Sequence, residues 1–187
     1  RDVLGSRGLG DVYKRQRLCP QKGFDMLVDI WNVVCKNIEG WELNIYGDGP
    51  DYAALDSKIK QYSLHKTIHM YPATTNIQSV YLNSSIFCFP SRYEGFSMAL
   101  MEAMSYGLPA IAFKCPCGPS EIIENGINGI LVENKNINDF AYELQKLMKD
   151  EKLREEYGIR AAMETKYKFN IDHIMKQWVS LFNDLKS

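Results

Sequence analysis

The chain is organised around residues 87–109, which read FCFPSRYEGFSMALMEAMSYGLP. The apolar start of this stretch predicts a short buried strand that ends at Pro90. The polar residues that follow predict a turn in which Gly95 is the conformationally permissive residue. Residues 97–106 then predict a helix of about 15 Å. A strand, a tight turn and a helix in this order form the repeating unit of a parallel α/β sheet.

The turn before this helix is a candidate anion site. The first amides of a helix have no partner inside it, and the helix dipole places about half a positive charge there. The amides of Phe96, Ser97 and Met98 are therefore candidate donors, and Glu94 and Glu102 lie on either side of them. From the spacing alone, Glu94 could equally complement the helix dipole. Glu102, which points away from the core face, could equally face solvent or a cleft.

Seven residues separate Glu94 and Glu102 in the frame SRYEGFSMALMEAMSYGLPAI. This arrangement closely resembles the E-x7-E element of the family 4 glycosyltransferases, which are retaining enzymes of GT-B fold with two Rossmann-like domains around a donor cleft. The resemblance extends from about Arg17 to about Val132. It implies that this chain is the C-terminal, donor-binding domain, a doubly wound parallel α/β sheet followed by C-terminal helices.

The composition agrees with one α/β domain. A chain of 187 residues with 45% hydrophobic and 24% charged residues is typical of a soluble globular domain. The formal net charge of −1 gives no sign of a nucleic-acid partner. Five cysteines without paired C-x-x-C spacing argue against a disulfide framework and a structural zinc site, and favour the cytoplasm.

Residues 1–16 are expected to be foreign to the domain. Residues 6–16, SRGLGDVYKRQ, match the translation of a transposase adapter used in preparing sequencing libraries, with a native loop as the alternative. The first strand of a doubly wound sheet is central. We therefore expect a gap at this strand, unless Val12 and Tyr13 fill it by accident.

The domain itself is predicted to occupy residues 17–168. Its tail reads as amphipathic helices, one of which Gly158 interrupts, and Asp172 is expected to cap the last one. By the resemblance, residues 169–187 form a helix that packs on an N-terminal domain outside this chain. Without that domain, the face that carries Trp178 would be partly exposed.

Two basic residues precede the first helix, at Arg17 and Lys22. A lysine at a helix start has the wrong sign for the dipole, which is easier to explain if an anion lies beside it; two exposed basic residues are the alternative. The block resembles the G-R-L-x-x-x-K-G element of the family, whose Arg and Lys hold the donor diphosphate. The resemblance implies catalytic roles for Arg17, Lys22 and Glu94.

The other donor contacts are also assigned by resemblance. Glu94 would bind the hydroxyls of the donor sugar and Glu102 those of the ribose. The base would be read from the loop at Tyr71, although Pro72 has no amide hydrogen to donate there. The full set of predicted donor-binding residues is Gly47, Gly49, Tyr71, Gly95, Phe96, Ser97, Met98, Glu102 and Glu121.

The implied reaction is glycosyl transfer with retention from a nucleoside-diphosphate sugar, which we expect to be a UDP-sugar. The acceptor would be a glycan or a lipid-linked acceptor bound by the missing N-terminal domain, from which any membrane association would also come. We expect no cofactor and no metal requirement. The alternatives are a non-catalytic nucleotide- or anion-binding Rossmann-like module and, more remotely, a nucleotide-sugar epimerase.

Overall fold

The computed structural model describes residues 10–15 and 17–185, and within them six parallel strands form one sheet in the order β3-β2-β1-β4-β5-β6. This is the order of a doubly wound fold, and the direction of winding reverses between β1 and β4. The strands are β1 (Gly10–Arg15), β2 (Trp41–Tyr46), β3 (Ile68–Tyr71), β4 (Ile86–Phe89), β5 (Ala110–Lys114) and β6 (Gly129–Glu133).

Helices follow the strands and cover both faces of the sheet. A short 3₁₀ turn, Pro20–Lys22, precedes the first of them. The helices are α1 (Phe24–Val34), α2 (Tyr52–Gln61), α3 (Ile77–Asn83), α4 (Met98–Ser105), α5 (Pro119–Ile122), α6 (Ile137–Lys149), α7 (Glu151–Lys168) and α8 (Ile171–Asp184). The predicted doubly wound α/β fold with C-terminal helices is confirmed.

The central strand is built from residues that the sequence analysis excluded from the fold. The backbone of Gly10–Arg15 pairs with β2 along its whole length, and Val12 and Tyr13 also pair with Ile86 and Phe87 of β4. The expected gap at the first strand is therefore not observed, and Val12 and Tyr13 fill the position, which is the exception that the sequence analysis allowed. The segment was excluded because it matches an adapter translation, but extended backbone of any sequence can donate and accept ladder hydrogen bonds.

The core lies on both faces of the sheet, as β4 illustrates. Its four residues are fully buried and alternate between the two faces. Ile86 and Cys88 join the apolar cluster under α1, α2 and α6. Phe87 and Phe89 join the cluster under α3, α4 and α5. Burial on both sides explains the continuous apolar run in the sequence.

Two predictions about the tail are wrong. Helix α7 runs through Gly158 without a break. A Cβ at that position would lie 2.2 Å from the carbonyl oxygen of Gly107, so glycine is needed where α7 crosses the end of α4. The cap of α8 is Asn170, whose side chain accepts a hydrogen bond from the amide of Asp172, so Asp172 is the donor rather than the cap.

Helix α8 has an apolar face without a covering element in the described part of the chain. Trp178 is 50% exposed and Phe182 is 54% exposed, and none of the residues of α8 is buried. This agrees with the predicted exposure of the Trp178 face. No helix within residues 10–15 and 17–185 is long and apolar enough to span a membrane.

Candidate functional site

The candidate site lies where the winding of the sheet reverses, at the carboxyl ends of β1 and β4. Two segments meet there, residues 20–23 and residues 91–95, which we call the paired loops. The amide of Arg92 donates to the carbonyl of Gln21 at 2.9 Å, and the Gln21 side-chain amide donates to the carbonyl of Tyr93 at 3.1 Å. Ligands of open α/β sheets bind in the crevice at this position.

Lys22 and Glu94 form an ion pair between the paired loops. The Lys22 Nζ lies 2.9 Å from Oε1 and 3.1 Å from Oε2 of Glu94, and the side chains are 16% and 6% exposed. An anion does lie beside Lys22, the carboxylate of Glu94, and a role of Lys22 toward a donor diphosphate stays a prediction. A carboxylate this deeply buried needs a cation, so the pair fixes both charged groups in the crevice.

Two glycines allow the loops around the ion pair to approach closely. Gly23 has a φ of +68°, and a Cβ there would lie 2.0 Å from the carbonyl oxygen of Pro90. Gly118, in the loop after β5, has a φ of +78° and would place a Cβ 2.6 Å from Oγ of Ser97 and 2.7 Å from the carbonyl oxygen of Gly95. Both sites exclude any side chain by conformation and by space.

The start of α4 differs from the prediction in two respects. The helix begins at Met98, and the Met98 amide is already used, because it donates to the Phe96 carbonyl at 3.1 Å across a tight turn. In this structure the Met98 amide is thus engaged inside the turn, and its role toward a ligand stays a prediction. The amides of Phe96 and Ser97 have no acceptor in the described part of the chain, and the buried Oγ of Ser97 also has no partner there.

Gly95 has a different role from the one predicted. Its φ lies outside the left-handed region, so the turn does not require glycine for its conformation. A Cβ at Gly95 would meet nothing within 4 Å. The position therefore faces open space, and the absence of a side chain leaves the backbone of the turn accessible.

Glu102 lies on the second turn of α4 and is half-buried. The hydroxyl of Tyr81, a fully buried residue of α3, donates to Oε2 of Glu102 at 3.3 Å. Glu102 also borders a groove of about 550 Å³ between α4 and α7, with Met101 and Phe169 among the lining residues. Of the two environments left open by the sequence, Glu102 therefore faces a cleft.

A second part of the site lies at the ends of β2 and β3. The Gly47 amide donates to the Tyr71 carbonyl at 2.9 Å, and the ring of Tyr71 stacks on Tyr46 with centroids 4.7 Å apart. A Cβ on Gly49 would lie 2.2 Å from the carbonyl oxygen of Leu18, so this glycine allows the loop after β1 to approach. Gly47, Gly49 and Tyr71 thus belong to the same edge of the sheet as the paired loops.

Two predicted residues remain outside these contacts. Arg17 is exposed and makes no ion pair with any described residue, although it lies two positions after β1 at the same sheet edge. Glu121 is exposed in the short helix α5, where its amide donates to the Gly118 carbonyl. Phe96 and Met98 are also about half exposed, at 50% and 55%.

Sequence reasoning missed the pair Arg92–Asp25. The two terminal guanidinium nitrogens of Arg92, Nη1 and Nη2, donate to the two oxygens of Asp25 at 2.8 and 2.6 Å, and Nη1 also donates to the Pro20 carbonyl. Burial raises the pKa of Asp25, but the hydrogen bonds and charge of Arg92 outweigh this and lower it overall. The hydrogen bonds to Asp25 raise the pKa of Arg92. The only signal in the sequence was an acidic residue in the first turn of α1.

The residues described for this chain, 10–15 and 17–185, contain no group of three or more His, Cys, Asp or Glu side chains that could hold a metal ion. The absence of a metal requirement remains a prediction.

Comparison with known proteins identifies the family. The family model for the group 1 glycosyl transferases matches residues 11–163. A curated relative is the amylovoran biosynthesis glycosyltransferase AmsD of Erwinia amylovora, 38% identical over 182 residues that cover 97% of this chain and 50% of AmsD. The family match begins inside the segment expected to be foreign, so the comparisons lend no support to a foreign origin of residues 1–16.

Solved structures agree on the fold. TarM of S. aureus, a mutant of which was solved with UDP, fondaparinux and α-GlcNAc-glycerol, matches with a TM-score of 0.88 and 29% identity over 95% of this chain and 36% of that chain. The C-terminal domain of LpcC, a group 1 glycosyl transferase from Francisella tularensis, matches with a TM-score of 0.80 and 30% identity over 88% of each chain.

The chain thus spans half the length of AmsD and about a third of TarM, while it matches the isolated LpcC domain almost end to end. Its sheet is one of the two Rossmann-like halves of a GT-B fold. On the family match over residues 11–163, this chain belongs to the group 1 glycosyltransferases.

Proposed function

We propose that this chain is the donor-binding half of a retaining glycosyltransferase that takes its sugar from a UDP-sugar. The observation that carries the proposal is the Lys22–Glu94 ion pair at the point where the sheet reverses its winding. It places one cation and one carboxylate side by side in a crevice. A nucleotide sugar needs this combination, with a cation for the diphosphate and an acceptor for the sugar hydroxyls.

The diphosphate is the leaving group, so negative charge develops on its oxygen as the bond to the anomeric carbon breaks. Lys22, Arg17 and the amides of Phe96 and Ser97 would stabilise that charge. Removal of one such donor typically costs about 3 kcal/mol of barrier. The exposed Arg17 needs no rearrangement of the core to reach a ligand, because no described residue holds its side chain.

Glu94 would accept hydrogen bonds from the hydroxyls of the sugar, and Glu102 from those of the ribose. The Tyr81 hydroxyl orients Glu102, and Tyr71 lies at the end of β3, where a base could stack on its ring. UDP rather than another nucleotide is supported by TarM, which was solved with UDP. The acceptor, a glycan or a lipid-linked acceptor, would be bound by a domain outside this chain.

Calorimetric titration of UDP and GDP into the chain tests this proposal. The informative variants are Arg17→Ala, which removes an exposed cation, and the double variant Lys22→Met/Glu94→Gln, which replaces the ion pair by neutral groups of similar size. We expect UDP to bind, and each variant to weaken that binding by tenfold or more.

The outcomes separate the alternatives. Preferential binding of GDP would support the assigned site but would make the donor a GDP-sugar instead of a UDP-sugar. UDP binding that neither variant affects would contradict the site. A folded chain that binds neither nucleotide would contradict the proposed function. Lys176→Ala, a substitution of an exposed cation on α8, is the matched control for the loss of one positive charge.

A further inference from the structure

We propose that Arg92 is a positioning residue that holds Glu94 in place through its bidentate pair with Asp25. The inference rests on the proposed function of Glu94 as the sugar-binding carboxylate. It concerns a residue whose side chain contacts α1. Arg92 lies two positions before Glu94 in the same loop, and its guanidinium points to α1.

The contacts of Arg92 fix one segment against the other. Its side chain binds both carboxylate oxygens of Asp25 and the carbonyl oxygen of Pro20, while its amide donates to the carbonyl of Gln21. Asp25 belongs to the first turn of α1, a rigid element packed in the core. The loop that carries Glu94 is thereby attached by its backbone to the 3₁₀ turn and by the Arg92 side chain to α1.

The first turn of α1, which carries Asp25, is hydrogen-bonded to α2. The Lys58 Nζ donates to the Asp25 carbonyl at 2.9 Å and to Oδ2 of Asp29 at 2.7 Å. The Tyr62 hydroxyl donates to the other oxygen of Asp29 at 3.0 Å. The position of Glu94 is thus connected to two helices that lie outside the crevice.

The chemistry requires arginine. A planar guanidinium can donate to Asp25 in a fork and to a carbonyl at the same time, whereas a lysine ammonium acts as a point charge. The pair is partly exposed, at 27% for Arg92 and 42% for Asp25, so its contribution to global stability is small. Its role is therefore local, in the geometry of the loop.

Two measurements test the proposal. The first is the ratio of the Kd of UDP to the Kd of UDP-glucose, which reports what the sugar adds to binding. Arg92→Met should lower this ratio by about tenfold, the equivalent of one hydrogen bond to a charged group. Arg92→Lys should behave like Arg92→Met, because it keeps the charge and loses the fork. In a Glu94→Gln background, Arg92→Met should have no further effect on the ratio.

The second measurement is hydrogen exchange in the ligand-free chain. Arg92→Met should increase the exchange rate of the amides in residues 91–97 by tenfold or more, with the melting temperature and the exchange of the sheet unchanged. Arg160→Met is the matched control, because Arg160 also pairs with a carboxylate, Glu156, at 2.7 Å, but on the surface of α7. It should leave both measurements unchanged.

The proposal is overturned if residues 91–97 exchange at the wild-type rate in Arg92→Met, if Arg92→Lys retains the wild-type ratio, or if Arg92→Met lowers the ratio equally with and without Glu94. If the wild-type chain binds neither UDP nor UDP-glucose, the proposed function is contradicted. In that case, the exchange measurement still decides whether Arg92 holds the loop.

Discussion

The paired loops are held far more firmly than the residues around them. Residues 20–23 and 91–95 are joined by the Lys22–Glu94 ion pair and by hydrogen bonds of Gln21 with Arg92 and Tyr93, and the Arg92–Asp25 pair attaches the second loop to α1. Arg17, Met98 and Glu121, at the same sheet edge, are exposed. Under the proposed function, the groups that contact the donor sugar are therefore preorganised, whereas the exposed groups would become ordered on the ligand.

The largest expected effect comes from the glycine that lets the paired loops approach. Gly23→Ala should lower the free energy of unfolding by about 3 kcal/mol, because alanine would be strained at a φ of +68° and would overlap the carbonyl of Pro90. Chemical denaturation measures this loss. A variant as stable as the wild type would show that the contact between these loops is not close in solution.

Gly95→Ala is the matched control for that experiment. Its added Cβ meets nothing within 4 Å and its φ lies outside the left-handed region, so stability should change by less than about 0.5 kcal/mol. If Gly95→Ala were as destabilising as Gly23→Ala, glycine itself, rather than the close approach, would be the cause.

The ion pair provides the next effect. Lys22→Met leaves the carboxylate of Glu94 only 6% exposed and without that cation, and should lower the free energy of unfolding by about 2 kcal/mol. Adding Glu94→Gln should recover part of this loss, because it removes the uncompensated charge. Denaturation of both single variants and the double variant measures the coupling. Additive losses would contradict a direct interaction between the two side chains.

The features that could be predicted from the sequence are those that depend on local order. Lys22 and Glu94 were each selected as a charge beside a helix start, whereas the contact between them, across 72 positions, was not predicted. The full burial of β4 likewise follows from a short apolar run between turn residues. Such features depend on neighbours in the chain, which a sequence displays directly.

Residues missed by the sequence depend on contacts between distant segments. Arg92 and Asp25 are 67 positions apart, and Tyr81 reaches Glu102 across 21 positions. Nothing in the local pattern distinguishes such pairs from exposed charges. The break predicted at Gly158 was wrong for the same reason. The carbonyl oxygen that excludes a side chain at Gly158 belongs to Gly107, which follows the C-terminal end of α4.

A smaller effect tests the half-buried carboxylate outside the paired loops. Tyr81→Phe removes the hydrogen bond to Glu102 and should lower the free energy of unfolding by about 1 kcal/mol. If Glu102 binds the ribose, the variant should also discriminate less between UDP and 2′-deoxy-UDP in calorimetric titrations. Tyr142→Phe, on the exposed surface of α6, is the control. Unchanged discrimination would indicate that Tyr81 does not orient Glu102 toward a nucleotide.

The smallest effect concerns pH. Burial raises the pKa of Asp25, but the hydrogen bonds and charge of Arg92 lower it by more than burial raises it. The folded pKa therefore lies below the ordinary value of 3.8. The stability that this carboxylate contributes is therefore fully present above that value and is lost as the pH falls through the folded pKa. The difference in unfolding free energy between wild type and Asp25→Asn should be constant near neutral pH and shrink below about pH 4.

The same measurement in an Arg92→Met background separates the causes of the shift. Without the guanidinium, the largest remaining influence on Asp25 is burial, which opposes ionisation. In this background, Asp25→Asn should lower the free energy of unfolding little or not at all at neutral pH, because the ionised carboxylate no longer stabilises the fold. If the pH dependence survived in this background, Lys58 rather than Arg92 would hold the charge of Asp25, and the fork would not be what joins the Glu94 loop to α1.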